Sequence, residues 1–169
     1  MKTSWETRFA FRTNTLMSSA IREILKYTQI PDLISFAGGL PSPDVFPIEA
    51  FKAACEKVLS TQGSTALQYS ITEGNIQLRE FLVELTAEQG VKVDIDNILI
   101  TNGSQQGLDL LGKIFINRGD KILVEAPSYL GALQAWNTYG ADYIQIETDD
   151  DGIIPEALEK AMRVGPKFV

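Results

Sequence analysis

From residue 97 onward the chain alternates short apolar runs with amphipathic stretches, and this alternation constrains the fold more than any other feature. The spacing predicts a strand over 97–101, a helix over 105–117, a strand over 121–125, a helix over 129–139 and a strand over 143–147. Short apolar strands separated by helices are the pattern of repeated βα units, whose parallel strands pair only after a crossover. The expected architecture is an open α/β sheet, with ligands gathered where strands end and helices begin.

One such junction is Asn102-Gly103-Ser104-Gln105-Gln106-Gly107. A glycine lets the backbone turn tightly, the first amides of the next helix lack intrahelical acceptors, and a serine hydroxyl adds a donor. Those parts make an anion cradle of the kind that takes a phosphate. Taken alone, the same residues also suit a plain βα turn whose serine caps the helix. A second strand end carries Ala126-Pro127-Ser128-Tyr129, where Tyr129 either faces a ligand or covers an apolar edge.

The first hundred residues are organised differently. Residues 16–29 have helical apolar spacing (Leu16, Ala20, Ile21, Ile24, Leu25) and stop before Pro31-Asp32. Gly38, Gly39, Pro41, Pro43 and Pro47 make 34–47 a shaped loop. Pro47 suits the first turn of a helix reaching about residue 60, and a further helix over 76–89 stops at Gly90, with Tyr69 in the connection. After the βα units, 155–163 reads as one more helix, and Pro166-Lys167-Phe168-Val169 opens what should be another strand. A sheet ending there would expose an apolar edge, so the chain is expected to be part of a larger α/β domain.

Composition excludes several functions. A formal net charge of −7 and a pI near 4.6 leave no basic stripe for nucleic acid or an anionic membrane. No apolar run approaches the ~18 residues of a membrane span. With one cysteine and no histidine, an intrachain disulfide and a His/Cys metal cluster are both excluded, and a cytoplasmic location is expected. Cys55, among Ala53, Ala54 and Val58 at helical spacing, is expected to pack in a core. Asp149-Asp150-Asp151-Gly152 lacks the alternating ligands and distal glutamate of a calcium loop and reads as a polar turn, so no metal site is expected.

Five motifs in order then carry a resemblance: Ser35-Phe36-Ala37-Gly38-Gly39-Leu40-Pro41, Leu67-Gln68-Tyr69-Ser70, Glu73-Gly74, Thr101-Asn102-Gly103-Ser104-Gln105-Gln106 and Glu125-Ala126-Pro127-Ser128-Tyr129. From about Ser19 onward the chain resembles the fold type I pyridoxal-phosphate aminotransferases, especially the branch with 2-aminoadipate and kynurenine aminotransferases. The resemblance implies a three-layer large domain with a mostly parallel sheet, incomplete here, over residues 47–169. Residues 1–46 would be an N-terminal arm and a segment of a small domain.

The resemblance also implies pyridoxal 5'-phosphate as cofactor and amino transfer between an amino acid and a 2-oxo acid. Gly103, Ser104 and Gln105 would hold the cofactor phosphate, and Tyr129 would stack on the pyridine. Tyr69 would reach a phosphate across a homodimer interface, Gly39 would lie beside the substrate carboxylate, and Arg22 would face a distal carboxylate of glutamate or 2-aminoadipate. The family's Schiff-base lysine follows a serine-bearing loop, and none of the nine lysines here sits in such a place, so no residue of this chain is assigned as catalytic and the chain alone is expected to be inactive. Other classes compatible with these residues are a β-lyase or decarboxylase of the same family, an aminotransferase-like effector domain of a transcription regulator, and a non-catalytic phosphate-binding or interaction module.

Overall fold

The computed structural model describes residues 5–16, 23, 24, 27, 30, 32–36 and 39–169. The chain divides into two compact units, one of Ile24–Thr101 and one combining Met1–Glu23 with Asn102–Val169. Most of the helix expected over 16–29 lies outside the described residues.

In the Ile24–Thr101 unit, Ser42 caps a 3-10 turn, Pro43–Val45, by accepting from the Asp44 amide. Helix α1 (Ile48–Ala66) follows with Pro47 at its N-cap. It runs beyond the expected end near residue 60, with a kink at Gln62 (φ −139°, ψ 20°). Ser60 and Thr61 hydroxyls donate back to the carbonyls of Glu56 and Lys57, a pattern that bends helices without ending them. Helix α2 (Ile76–Glu88) starts where the Asn75 side chain accepts from the Leu78 amide at 3.0 Å. Past its C-terminal end, Gly90 adopts φ +82°, as its sequence signal predicts.

Two expectations fail in this unit. Cys55 is exposed rather than packed, because α1 buries none of its residues. No strand forms over 97–101. Asn97 belongs instead to a 3-10 turn, Ile95–Asn97, and Ile98 is extended (φ −113°, ψ 124°) without a strand beside it. A strand is defined by its neighbour's hydrogen bonds, and here the Ile100 amide donates to the Glu73 carbonyl at 3.0 Å instead. Gly74 (φ +103°) stands so close to Ile100 that a Cβ would meet its side chain at 2.5 Å. Arg79 on α2 ties down the same segment, donating to the Ile95 carbonyl at 2.7 Å.

The second unit contains helix α3 (Gly103–Phe115), strand β1 (Lys121–Glu125), helix α4 (Leu130–Asn137) and strand β2 (Asp142–Ile146). A hairpin of β3 (Thr148–Asp149) and β4 (Gly152–Ile153) leads into helix α5 (Pro155–Met162). The expected βα alternation is present, each element lying within two residues of its predicted bounds. β1 and β2 pair in parallel, with Leu123 opposite Ile144. On the other edge of β1, Phe168 forms a parallel bridge with Ile122, so the anticipated strand after α5 does open here. Ile122 and Leu123 are therefore 0% and 1% exposed, and burial of each is worth about 1.5–3 kcal/mol. Ile116, Ala135 and Ile146 complete the described core.

Helix α3 packs on α4 through Gly112, where a Cβ would come within 2.7–3.0 Å of Tyr139 and Trp136. Both rings are held by hydrogen bonds: Trp136 Nε1 donates to the Leu108 carbonyl at 2.9 Å and the Tyr139 hydroxyl to Asp109 at 2.8 Å. The Asp149–Gly152 segment is the tip of the hairpin, closed by the Asp151 amide on the Asp149 carboxylate at 2.9 Å. No described helix is long and apolar enough to cross a membrane.

Candidate functional site

The start of α3 is built to stay open. Gly103 takes φ +74°, a left-handed conformation that a side chain would strain, although a Cβ there would meet no atom within 4 Å. Asn102 occupies the N-cap without a side-chain cap, so the first turn is not closed by its own residue. The Asn102 amide instead donates to Gln106 Oε1 at 2.6 Å, which fixes the entry to the helix. No acidic residue lies in the first turn, and the Ser104 hydroxyl is exposed. A thirteen-residue helix brings its partial positive charge to this end, and no acidic side chain of that turn competes for it.

Tyr129 stands at the N-cap of α4, just past the C-terminal end of β1, with 63% of its surface exposed. The turn before it contains a cis Ala126–Pro127 peptide and is closed by the Ser128 hydroxyl donating to the Glu125 carbonyl. Beneath the ring lies Gly131, whose carbonyl accepts from Gln105 Nε2 at 3.2 Å. The two loops that the sequence singles out are thereby joined, one through a side-chain amide and the other through an aromatic ring. A hollow of about 310 Å³ opens beside the Tyr129 loop, lined in part by Glu125, Ser128, Tyr129, Ala132, Trp136 and Val169.

Three ionisable groups of this unit, Asp120, Tyr139 and Tyr143, are shifted by structural contacts. Burial first, and then the hydrogen bond to Asp109, raise the Tyr139 hydroxyl above its usual range. Burial pushes Tyr143 up to about 12, and its hydroxyl donates to the Leu133 carbonyl at 3.0 Å. Asp120 is held below the ordinary 3.8 chiefly by the Asn117 amide, with Lys167 3.7 Å away also favouring the carboxylate.

Gly103, Ser104, Gln105 and Tyr129 thus fall in one unit and are linked through Gly131. Tyr69 and Gly39 belong to the Ile24–Thr101 unit. Tyr69 is 99% exposed, its amide turned to the Gln68 side chain at 2.8 Å, and Gly39 takes φ +60° with open space around it. Arg22 lies outside the described residues. Gly131 lies outside every motif the sequence offers, and Gln106 lies within one without a role assigned to it. The glycine two positions after Tyr129, where a helix begins, is the only signal that could have found the first.

Fold and site define a parallel α/β protein with a glycine-led helix start and an exposed aromatic ring joined to it through Gly131. The chain belongs to the aminotransferase class I and II family, which matches residues 32–169. It is 42% identical over 167 residues to the 2-aminoadipate transaminase of Thermus thermophilus, covering 98% of this chain and 41% of that protein. It is also 42% identical to aromatic-amino-acid aminotransferase 1 of Thermococcus litoralis, covering 94% of this chain and 38% of the relative. Among solved structures, the Thermus thermophilus α-aminoadipate aminotransferase complexed with N-(5'-phosphopyridoxyl)-L-leucine superposes with a TM-score of 0.84 at 41% identity, over 98% of this chain and 40% of that one. The Pyrococcus horikoshii kynurenine aminotransferase gives 0.85 at 41% identity, over 96% and 41%. The chain therefore spans about two fifths of the length of these relatives.

Proposed function

We propose that this chain forms the pyridoxal 5'-phosphate cradle of an aminotransferase that moves an amino group between an amino acid and a 2-oxo acid. The observation that carries the reading is the open, acid-free start of α3, joined through Gln105 and Gly131 to the exposed ring of Tyr129. The cofactor has a phosphate at one end and a flat aromatic ring at the other. The chain offers a helix N-terminus and a hydroxyl for the first and a tyrosine face for the second, so the residues present fit the group. Donors of the 2-aminoadipate, aromatic or branched-chain type are favoured by the names of the relatives and by the leucine adduct in one of them, and glutamate joins them as a second dicarboxylic donor.

When bound, pyridoxal phosphate draws electron density from the substrate Cα and so makes its proton removable. This chain's own residues bind and orient. The α3 amides and the Ser104 hydroxyl hold the phosphate, and Tyr129 fixes the plane of the ring. Gly39 lets the substrate carboxylate approach the backbone closely. Tyr69, in a homodimer, reaches the phosphate bound by the second copy, and its full exposure in one chain agrees with that use. Arg22 selects donors with a distal carboxylate, so Arg22→Ala should weaken dicarboxylic donors by ~2 kcal/mol and spare leucine-like ones.

The test is a titration with pyridoxal 5'-phosphate and, separately, with pyridoxal. Ser104→Ala should weaken the phosphate ester about tenfold or more, the scale of a hydrogen bond to a charged group, and leave pyridoxal unchanged. An equal effect on both ligands would remove Ser104 from the phosphate site. In a protein that pairs this chain with a Schiff-base lysine, absence of amino transfer from every donor class named would sink the activity.

A further inference from the structure

We propose that Gly131 is a positioning residue: it sets the plane of the Tyr129 ring and couples that ring to Gln105. The inference rests on the cofactor site described above and names a residue that acts on it without touching the ligand.

Gly131 is the second residue of α4 and is buried. Its φ is not positive, so the backbone there gives no reason for glycine, which is a poor helix former. The reason lies in the side chain above it. A Cβ at this position would come 2.6 Å from Tyr129 Cε1 and Cζ and 2.8 Å from the hydroxyl oxygen, well inside contact distance. The ring can lie flush on the helix start only because residue 131 has no side chain. The same residue's carbonyl accepts from Gln105 Nε2 at 3.2 Å. One glycine therefore receives the ring from one loop and the carboxamide from the other.

Gly112 provides the contrast. Its missing Cβ would also strike aromatic rings, but Tyr139 and Trp136 are pinned by hydrogen bonds to Asp109 and Leu108. A side chain at 112 has to push the helices apart. A side chain at 131 meets the free end of a ring that is 63% exposed and can turn away about its own bonds. Gly131→Ala should consequently leave the fold intact and move the ring.

A double-mutant cycle on the holoprotein separates placement from structure. The dissociation constant of pyridoxal 5'-phosphate is measured for the unaltered protein, Gly131→Ala, Tyr129→Ala and the double variant. The induced circular dichroism of the cofactor band and the melting temperature are recorded alongside. Gly131→Ala should weaken binding about tenfold with Tyr129 present, the scale of one lost aromatic contact, and less than about twofold with Tyr129→Ala. The cofactor band should change while the melting temperature holds or rises. Equal losses in both backgrounds, no loss at all, or failure of Gly131→Ala to fold would each overturn the proposal. If Ser104→Ala and Tyr129→Ala both weaken binding but Gly131→Ala does not, only the positioning role fails. If the unaltered protein does not bind the cofactor, the site fails with it.

Discussion

In the Asn102–Val169 segment, β1 is paired along both edges and its central side chains are sealed. In Ile24–Thr101, the one described residue that counts as buried is Arg79, a cation. Phe51 on α1 is 70% exposed, as open as many surface residues. The contrast follows from how each architecture closes. A βα unit brings its own cover, because the crossover helix packs back onto the strands it connects. A helix with an apolar stripe must find a separate body, and among the described residues of its unit α1 buries none of its side chains. The proposed cofactor cradle lies on the self-closing part, at the end of a helix that Gly112, Trp136 and Tyr139 lock to its neighbour. Rigid support is what a binding constellation needs, and the less buried unit carries Tyr69, proposed to act from a second copy, and Gly39, proposed to lie beside the substrate.

The contrast can be broken most directly in the core. Ile122→Ala should cost about 3 kcal/mol, as for other fully buried large-to-small changes, and Phe51→Ala less than about 0.5 kcal/mol, both read by denaturant unfolding. Equal costs would erase the distinction between the units. Next comes Arg79, whose guanidinium holds the Ile95 carbonyl while its Nε, buried, has no partner. Arg79→Ala should cost about 2 kcal/mol by stranding that carbonyl, and should speed hydrogen exchange at Ile100. Exposed Asp96, 3.6 Å from the same guanidinium, contributes little, so Asp96→Ala should be near neutral.

Gly112→Ala should cost about 1–2 kcal/mol by wedging α3 from α4, measured as a lowered melting temperature. The smallest effect concerns Asp120. Its folded-state carboxyl lies below its ordinary 3.8, so its contribution is complete above that value and is lost as pH falls through the folded one. Stability of the Asn102–Val169 unit should decline in that acid window, and Asp120→Asn should flatten the decline. An unchanged acid limb would remove Asp120 from the account.

The legible parts of the sequence are those whose signal is local. The strand at 121–125 is an apolar run with turns at each end, and α3 announces itself by period and by the glycine at its start. The turn that leads into α3 is legible for the same reason, since Asn102, Gly103, Ser104 and Gln105 are consecutive. The strand expected over 97–101 was not, because its period is right but its pairing depends on a neighbour that periodicity cannot supply. Cys55 misled similarly: helical spacing with alanines defines a face, and what covers a face is a tertiary fact. Arg79 gives no sign of burial in a stretch as ordinary as Leu78-Arg79-Glu80. Gly131 matters through a side-chain torsion two residues away, which sequence spacing does not encode.

The central claim is that the start of α3 holds the phosphate of pyridoxal 5'-phosphate. Amide hydrogen exchange with and without that ligand tests it most directly. The account predicts slowed exchange at Ser104, Gln105 and Gln106 and at the Tyr129–Gly131 turn, with pyridoxal slowing the second group and not the first. Saturating binding that leaves the amides of residues 104–106 unprotected would contradict it.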